Sequence, residues 1–261
     1  MTPFSATLRS EWTKISSLRS TKVMLALSLV FALALTALLA LVVGNTWDDW
    51  KPADRRSYEP IGAALIGQLA SAIFFLVIGV KAATAEYGAG MMRLTLTATP
   101  RRGRVLAAKA LIVSAVTVVA AAVGNVAMFL LARAILSAYG IESTNLTDSD
   151  ALRAVLASAA LAPLFPVIGL ALGIVLRSTA ATIIAVLAVI FGPPFLGGVL
   201  PESWQGGTLD YVPMAASDAI SIGHLPDAGA GLSPAVGTLV VAGWLAVFLG
   251  GAWAVFARRD A

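Results

Sequence analysis

The chain has 261 residues, 59% hydrophobic and only 12% charged, with a formal net charge of +4. Soluble domains carry about 25% charged residues, so this composition excludes an ordinary water-coated globule and fits an integral membrane protein. Cysteine is absent, which excludes a disulfide frame, a thiolate metal site and a cysteine nucleophile, and the basic excess reads as Lys and Arg gathered on one side of a membrane rather than as a nucleic-acid surface.

The first 22 residues are polar and basic. The apolar run behind them has no small-residue cleavage site, so a cleavable signal peptide is not expected. Phe4, Leu8, Trp12, Ile15 and Leu18 recur every three or four positions, which predicts one apolar stripe on a helix. Arg9, Lys14 and Arg19 lie off that stripe. Such a helix lies flat at the inner interface, with Trp12 at headgroup depth; the plainer alternative is a positive leader that only orients the first span.

A membrane helix needs about 20 mostly apolar residues. Six runs meet this, at about 23–43, 61–83, 107–132, 154–176, 179–200 and 235–257. The expected fold is therefore an all-α integral membrane protein, a single transmembrane domain over 1–261. Only Arg177 and Ser178 separate the fourth run from the fifth, which predicts a tight hairpin. With the N-terminus inside, the inner segments hold thirteen basic residues and the outer loops five: Lys51, Arg55, Arg56, Arg133 and Arg153. That bias puts both termini in the cytoplasm.

The first outer loop contains TWDDW, Thr46–Trp50. Its acids lack the spacing of a calcium loop and read as a solvated turn. Between the second and third runs lies AEYGAGMMRLTLTATPRRGR, Ala85–Arg104, too long for a simple turn between antiparallel helices. Glu86–Thr97 suits a helix, with Met91, Leu94 and Ala98 at helical spacing; Gly88 and Gly90 loosen its start and Pro100 ends it. Arg101, Arg102 and Arg104 follow at the membrane surface. The pattern admits two readings: a short cytoplasmic helix that a partner can push, or a basic interfacial loop.

Polar residues within the runs are few. Gln68 and Asn125 are costly in lipid unless they face protein or water; they line a transport path or bond neighbouring helices. Lys81 snorkels to the inner surface. Pro163 and Pro166 kink the fourth run, and Gly169-x-x-x-Gly173 allows close helix contact. GPPFLGG, Gly192–Gly198, is expected to break the fifth run near its outer end, a place that suits a gate. Residues Met214–Ile222, in the third outer segment, suit a short re-entrant or flat helix. His224 is the lone histidine, a loop residue rather than a metal ligand. Asn145-Leu146-Thr147 fits a glycosylation sequon.

No G-x-x-x-x-G-K-[ST] phosphate loop and no Gly-Lys pair occur, so ATP hydrolysis is not expected in this chain. No catalytic set is evident either.

Glu86-Tyr87, Gly90, Arg93, Thr95-Leu96, Pro100, Arg102 and Lys109 together resemble a pattern in membrane permeases of ATP-binding-cassette (ABC) transporters. The class is the type 2 exporters, in actinobacterial-like members that read E-Y-x-x-G-x-x-R-x-T-L-x-x-x-P-x-R and then a lysine. LRSEWTKISSLRST, Leu8–Thr21, and DYVPMAASDAI, Asp210–Ile220, resemble the opening and the pre-final segment of such permeases. The resemblance implies six spans and an N-terminal elbow helix carrying Leu8, Trp12, Ile15 and Leu18. It also implies a coupling helix that docks on the ATPase through Glu86, Tyr87, Gly90, Met91, Arg93, Leu94, Pro100 and Arg102. Met91 stands where a branched aliphatic is more usual.

The implied partners are ABC ATPase subunits, which carry the ATP and Mg, a second permease copy or related chain, and membrane lipid; no nucleic acid is implied. Gln68, Asn125, Pro193 and Pro194 are candidates for the translocation path. No cofactor and no metal site is expected here, and the implied location is the bacterial cell membrane. A rival reading is a non-transporting scaffold or accessory subunit that uses the same basic loop. A gradient-driven transporter is disfavoured, because no ionisable residue lies mid-span.

Overall fold

The computed structural model describes residues 3–88, 90–98, 101–197, 209–222 and 231–258, and no strand occurs among them. Helix α1, Phe4–Ser17, is followed after an extended Leu18 by α2, Arg19–Thr46. Two short helices, α3 (Pro52–Arg56) and α4 (Pro60–Ala64), lead into α5, Gln68–Gly88. Helix α6, Met91–Ala98, connects to α7, Arg102–Ala138. Then come α8 (Ser149–Leu161), α9 (Leu164–Leu176) and α10 (Thr179–Gly197). Helix α11, Pro213–Ser221, and α12, Pro234–Arg258, complete the described chain.

Among the described residues five helical stretches are long and apolar enough to cross a membrane: Arg19–Asp49, Gln68–Gly88, Arg102–Ala138, Ser149–Leu176 and Pro234–Arg258. The chain is thus an all-α protein with the helices of a multi-pass membrane protein. Helix α10 is apolar but shorter. At 1.5 Å per residue α7 is about 55 Å long, well beyond a hydrocarbon core of about 30 Å.

The second apolar run is shifted from its expected start. Residues 61–64 belong to α4, a turn follows at 65–67, and α5 begins at Gln68 and continues to Gly88. Pro60 opens α4 while the Glu59 carboxylate accepts from the Ile61 and Gly62 amides, an N-terminal cap that isolates this short piece. Gly67 in the turn is required by close approach, because a Cβ there would lie 2.3 Å from the Ala32 carbonyl oxygen.

Helix α5 is central and packs on α2, α7, α9 and α10. Its contact with α9 is the tightest: a Cβ on Gly79 would lie 2.0 Å from the Pro166 carbonyl oxygen, and Cβ atoms on Gly169 and Gly173 would meet Leu76 and Ala83 at 2.9 Å. Small residues on both helices let the backbones touch, the device expected of Gly169 and Gly173. The fourth run breaks at Ala162–Pro163, where α8 ends and α9 starts. Pro166 sits in the first turn of α9, where a missing N–H costs no helical bond.

The break expected within GPPFLGG does not occur over its described part, 192–197. Helix α10 passes through Pro193 and Pro194 to Gly197, and a proline inside a membrane helix is tolerated when neighbouring groups make up the lost bond. Residues 198–200 and His224 lie outside the described residues. The hairpin at Arg177 and Ser178 is as tight as expected, with Arg177 in the left-handed region at φ 54° and its amide bonded to the Gly173 carbonyl. At the far end of α2, Trp47, Trp50 and Tyr58 pack ring on ring at 5.4–5.8 Å, with Arg55 over Trp47 at 5.6 Å. Such an aromatic group suits a membrane–water boundary.

Candidate functional site: a buried charge cluster and a polar cavity

Four helices meet at a cluster of two lysines and two glutamates. Lys109, about two turns into α7, has a side chain 2% exposed. Its ammonium donates to Glu11 Oε2 on α1 at 2.9 Å, to the Ala82 carbonyl of α5 at 3.0 Å, and to Glu86 Oε1. Its three donors are therefore all used. Lys14 donates to Glu11 Oε1 at 2.7 Å, to Glu86 Oε1 at 2.8 Å and to Thr95 Oγ1 on α6 at 3.5 Å. Thr95 in turn donates to Glu86 Oε2 at 3.1 Å. The four charges cancel, the condition under which buried ions are tolerated. Burial acts to lower the pKa of the Lys14 ammonium, but the bonds and charges of Glu11 and Glu86 outweigh it, and the net shift is upward.

The local sequence explains this convergence. Thr7, Glu11 and Ile15 recur four apart and are the buried edge of α1, whereas Trp12 is 52% exposed and Leu18 is exposed in the break after the helix. The apolar stripe of the sequence therefore coincides only in part with the edge that α1 turns to the protein. That edge carries an acid because α7 offers Lys109 beneath it. Phe4 and Leu8 are half-buried and Ile15 is buried.

The residues expected to form one docking surface separate into three groups. Glu86 and Tyr87 finish α5 rather than starting a new helix, and Glu86 is 5% exposed, turned into the cluster. Tyr87 lies under the Arg177 guanidinium at 5.1 Å, and Arg102 donates to the Phe256 carbonyl at 2.6 Å. These two side chains tie the ends of α5 and α7 to neighbouring helices. Gly90 has φ +66°, a conformation that favours glycine, and it sets the direction in which α6 leaves. On α6, Met92 is buried beside Ala83, Val105 and Phe256, while Met91 is 48% and Leu94 70% exposed. The Arg93 side chain and Pro100 lie outside the described residues.

The second polar assembly is a cavity of about 130 Å³. Gln68, 18 residues before Glu86 on α5, lies about 27 Å along the helix from the charge cluster. Asn125, 16 residues beyond Lys109 on α7, lies about 24 Å from it by the same measure. Both line the cavity, together with Phe75, Ser158, Phe165 and Asp218. Asn125 is 2% exposed and donates to the Val155 carbonyl at 3.2 Å, so it also bonds helix to helix as expected. Pro193 does not line this cavity, and the Pro194 side chain lies outside the described residues. Asp218, on α11, was not singled out by the sequence; its side chain is exposed along the cavity wall, and the partial loss of water around it pushes its carboxyl up to about 6.

A wider apolar groove of about 670 Å³ runs between α1, α2 and α7, with Trp12 and Lys22 in its wall. No group of acids and histidines among the described residues could hold a metal ion. A scan of family models found no match for the chain, and a search of curated proteins found none either.

Proposed function

We propose that this chain is the membrane subunit of an ABC exporter of the type 2 class. It has six spans, α10 being one of them, and both termini are cytoplasmic. Helix α1 is the elbow and α6 the coupling helix, while ATP hydrolysis takes place in a separate subunit. The single observation that carries the reading is the mounting of α6. Met92 and Thr95 fix the helix to the core and the charge cluster, while Met91 and Leu94 stand out from it. Exposed apolar side chains on a short, charged-flanked helix suit insertion into a groove on a partner. The cluster supplies the mechanical link, because a push on α6 reaches α1, α5 and α7 through Thr95, Glu86 and Lys109, and packed elements transmit it as rigid bodies.

In this reading two copies, or one copy and a related chain, enclose the path. The cavity holding Gln68 and Asn125 is the part of each copy offered to the solute.

The test is purification of the tagged chain in mild detergent, with Mg-dependent ATP hydrolysis measured in the eluate. Leu94→Glu is expected to lower co-purified ATPase activity at least tenfold with the melting temperature unchanged. Stoichiometric purification with no ATPase would sink the reading and favour a scaffold.

A further inference from the structure

We propose that the groove between α1, α2 and α7 seats one anionic phospholipid, with its phosphate on Lys22 and an acyl chain along α7.

The groove, of about 670 Å³, has two unlike ends. Where α1 gives way to α2, its wall carries Trp12, Thr21 and Lys22. Among the described residues the indole N–H, the hydroxyl and the ammonium of these three have no hydrogen-bond or ion-pair partner. Lys22 is the only charged residue of the described lining. Lys14 and Lys109, on α1 and α7, are by contrast both held by glutamates. Donors gathered at one mouth with no acid among them suit an oxyanion, which accepts from each and gains a charge-assisted bond from the ammonium.

The rest of the wall is apolar in effect. Ser28 and Ser71 are its polar residues, and their hydroxyls donate to the Leu25 and Ser28 carbonyls at 2.8 and 3.2 Å. On α7 the wall runs from Ala115 to Gly124, about 14 Å at 1.5 Å per residue. That is close to half of a hydrocarbon core about 30 Å thick. The groove is therefore as deep as one leaflet, with its donors at the α1 end. A lipid of that leaflet brings a chain to the apolar wall and a phosphate to the donors.

Other occupants meet only part of this. An apolar solute leaves the donors without an acceptor. A zwitterionic choline lipid brings a second cation beside Lys22. A membrane helix of a second copy would cover the wall but bring no anion, since α2, α7, α9, α10 and α12 contain no Asp or Glu.

The inference goes beyond the exporter reading and takes from it only the cytoplasmic placement of α1, which makes the leaflet the inner, anionic one. Its test involves no ATPase, so the two fail separately. The full chain in maltoside micelles is mixed with equal amounts of dioleoylphosphatidylglycerol and dioleoylphosphatidylcholine, and bound lipid is counted by native mass spectrometry. One phosphatidylglycerol per chain is expected, retained over phosphatidylcholine by about fivefold or more. Lys22→Gln is expected to abolish that preference and Lys22→Arg to keep it. Ala115→Phe, at an exposed position of the wall, is expected to lower retention of both lipids. Each side chain faces the open groove rather than a packed core, so the fold survives; unchanged melting curves verify this. Equal retention of the two lipids, an unchanged preference in Lys22→Gln, or full retention in Ala115→Phe would each overturn the proposal. A dimer of the chain that retains no lipid and is broken by Ala115→Phe would also overturn it, and would assign the groove to a second copy.

Discussion

Replacing Lys109 by methionine tests whether the charge cluster holds the inner end of the helix assembly together. The change keeps most of the volume but removes three hydrogen bonds, two of them to carboxylates. At 2.9 Å two unit charges attract by about 6 kcal/mol at an effective dielectric of 20. Desolvation offsets part of that attraction in the native state. In the variant the attraction is lost but the desolvation cost of the acids remains, because Glu11 and Glu86 stay 3% and 6% exposed with only Lys14 to neutralise them. Removing one partner of a buried pair costs about 3–5 kcal/mol. At about 2–4 °C per kcal/mol for a chain of this size, Tm in detergent is expected to fall by roughly 6–20 °C.

Adding Glu86→Gln removes one anion along with the cation and leaves the Glu11–Lys14 pair at 2.7 Å. The double variant is therefore expected to be more stable than the two single effects added together, by about 1–3 kcal/mol. A Lys109→Met melting curve within 2 °C of wild type, on the same roughly 2–4 °C per kcal/mol scale, would refute the reasoning. Strict additivity in the double variant would refute it too.

Gly79→Ala is expected to cost about 1–3 kcal/mol through overpacking against the Pro166 carbonyl. Gly243→Ala, where a Cβ meets nothing within 4 Å, should be neutral or slightly stabilising; paired thermal melts check both. Arg177→Val places a β-branched residue at φ 54° and is expected to cost about 1–2 kcal/mol, read by the same melts. For Asp218 the folded pKa is raised from 3.8 to about 6, so its contribution is present below the lower value and is lost as pH rises through the higher one. Asp218→Asn should thus match the wild type near pH 4 and be the more stable of the two at pH 7; a Tm difference that does not change with pH would contradict this.

The long helices were legible because apolar runs of membrane length need no knowledge of partners. The bend at Pro163 and the close approach at Gly169 and Gly173 were legible for the same reason, since each is a local property of the residue. The charge cluster was not. Glu11 and Lys109 lie 98 positions apart, and both look like surface residues in a single sequence. The clue was present in the repeat Thr7, Glu11, Ile15, a polar edge at helical spacing, but the stronger apolar stripe through Trp12 masked it. The α5 boundary was missed because Ile61–Ala64 is as apolar as a span, and only the Glu59 cap marks it as a separate turn of helix. At GPPFLGG the local breaker signal was overridden, as happens where a membrane helix has neighbours to complete its bonding. Asp218 escaped notice because its meaning depends on which helices close around α11.

The central claim is that α6 lies on the cytoplasmic face, presenting Met91 and Leu94 to a motor. The natural absence of cysteine makes a direct measurement simple. Leu94→Cys, at an exposed position, is labelled with a membrane-impermeant maleimide in intact cells and in inside-out vesicles, with Asp54→Cys in the α3 segment as the opposite-side marker. The account predicts labelling of Cys at position 94 only in the vesicles and of position 54 only in intact cells. Labelling of position 94 from outside intact cells would contradict it.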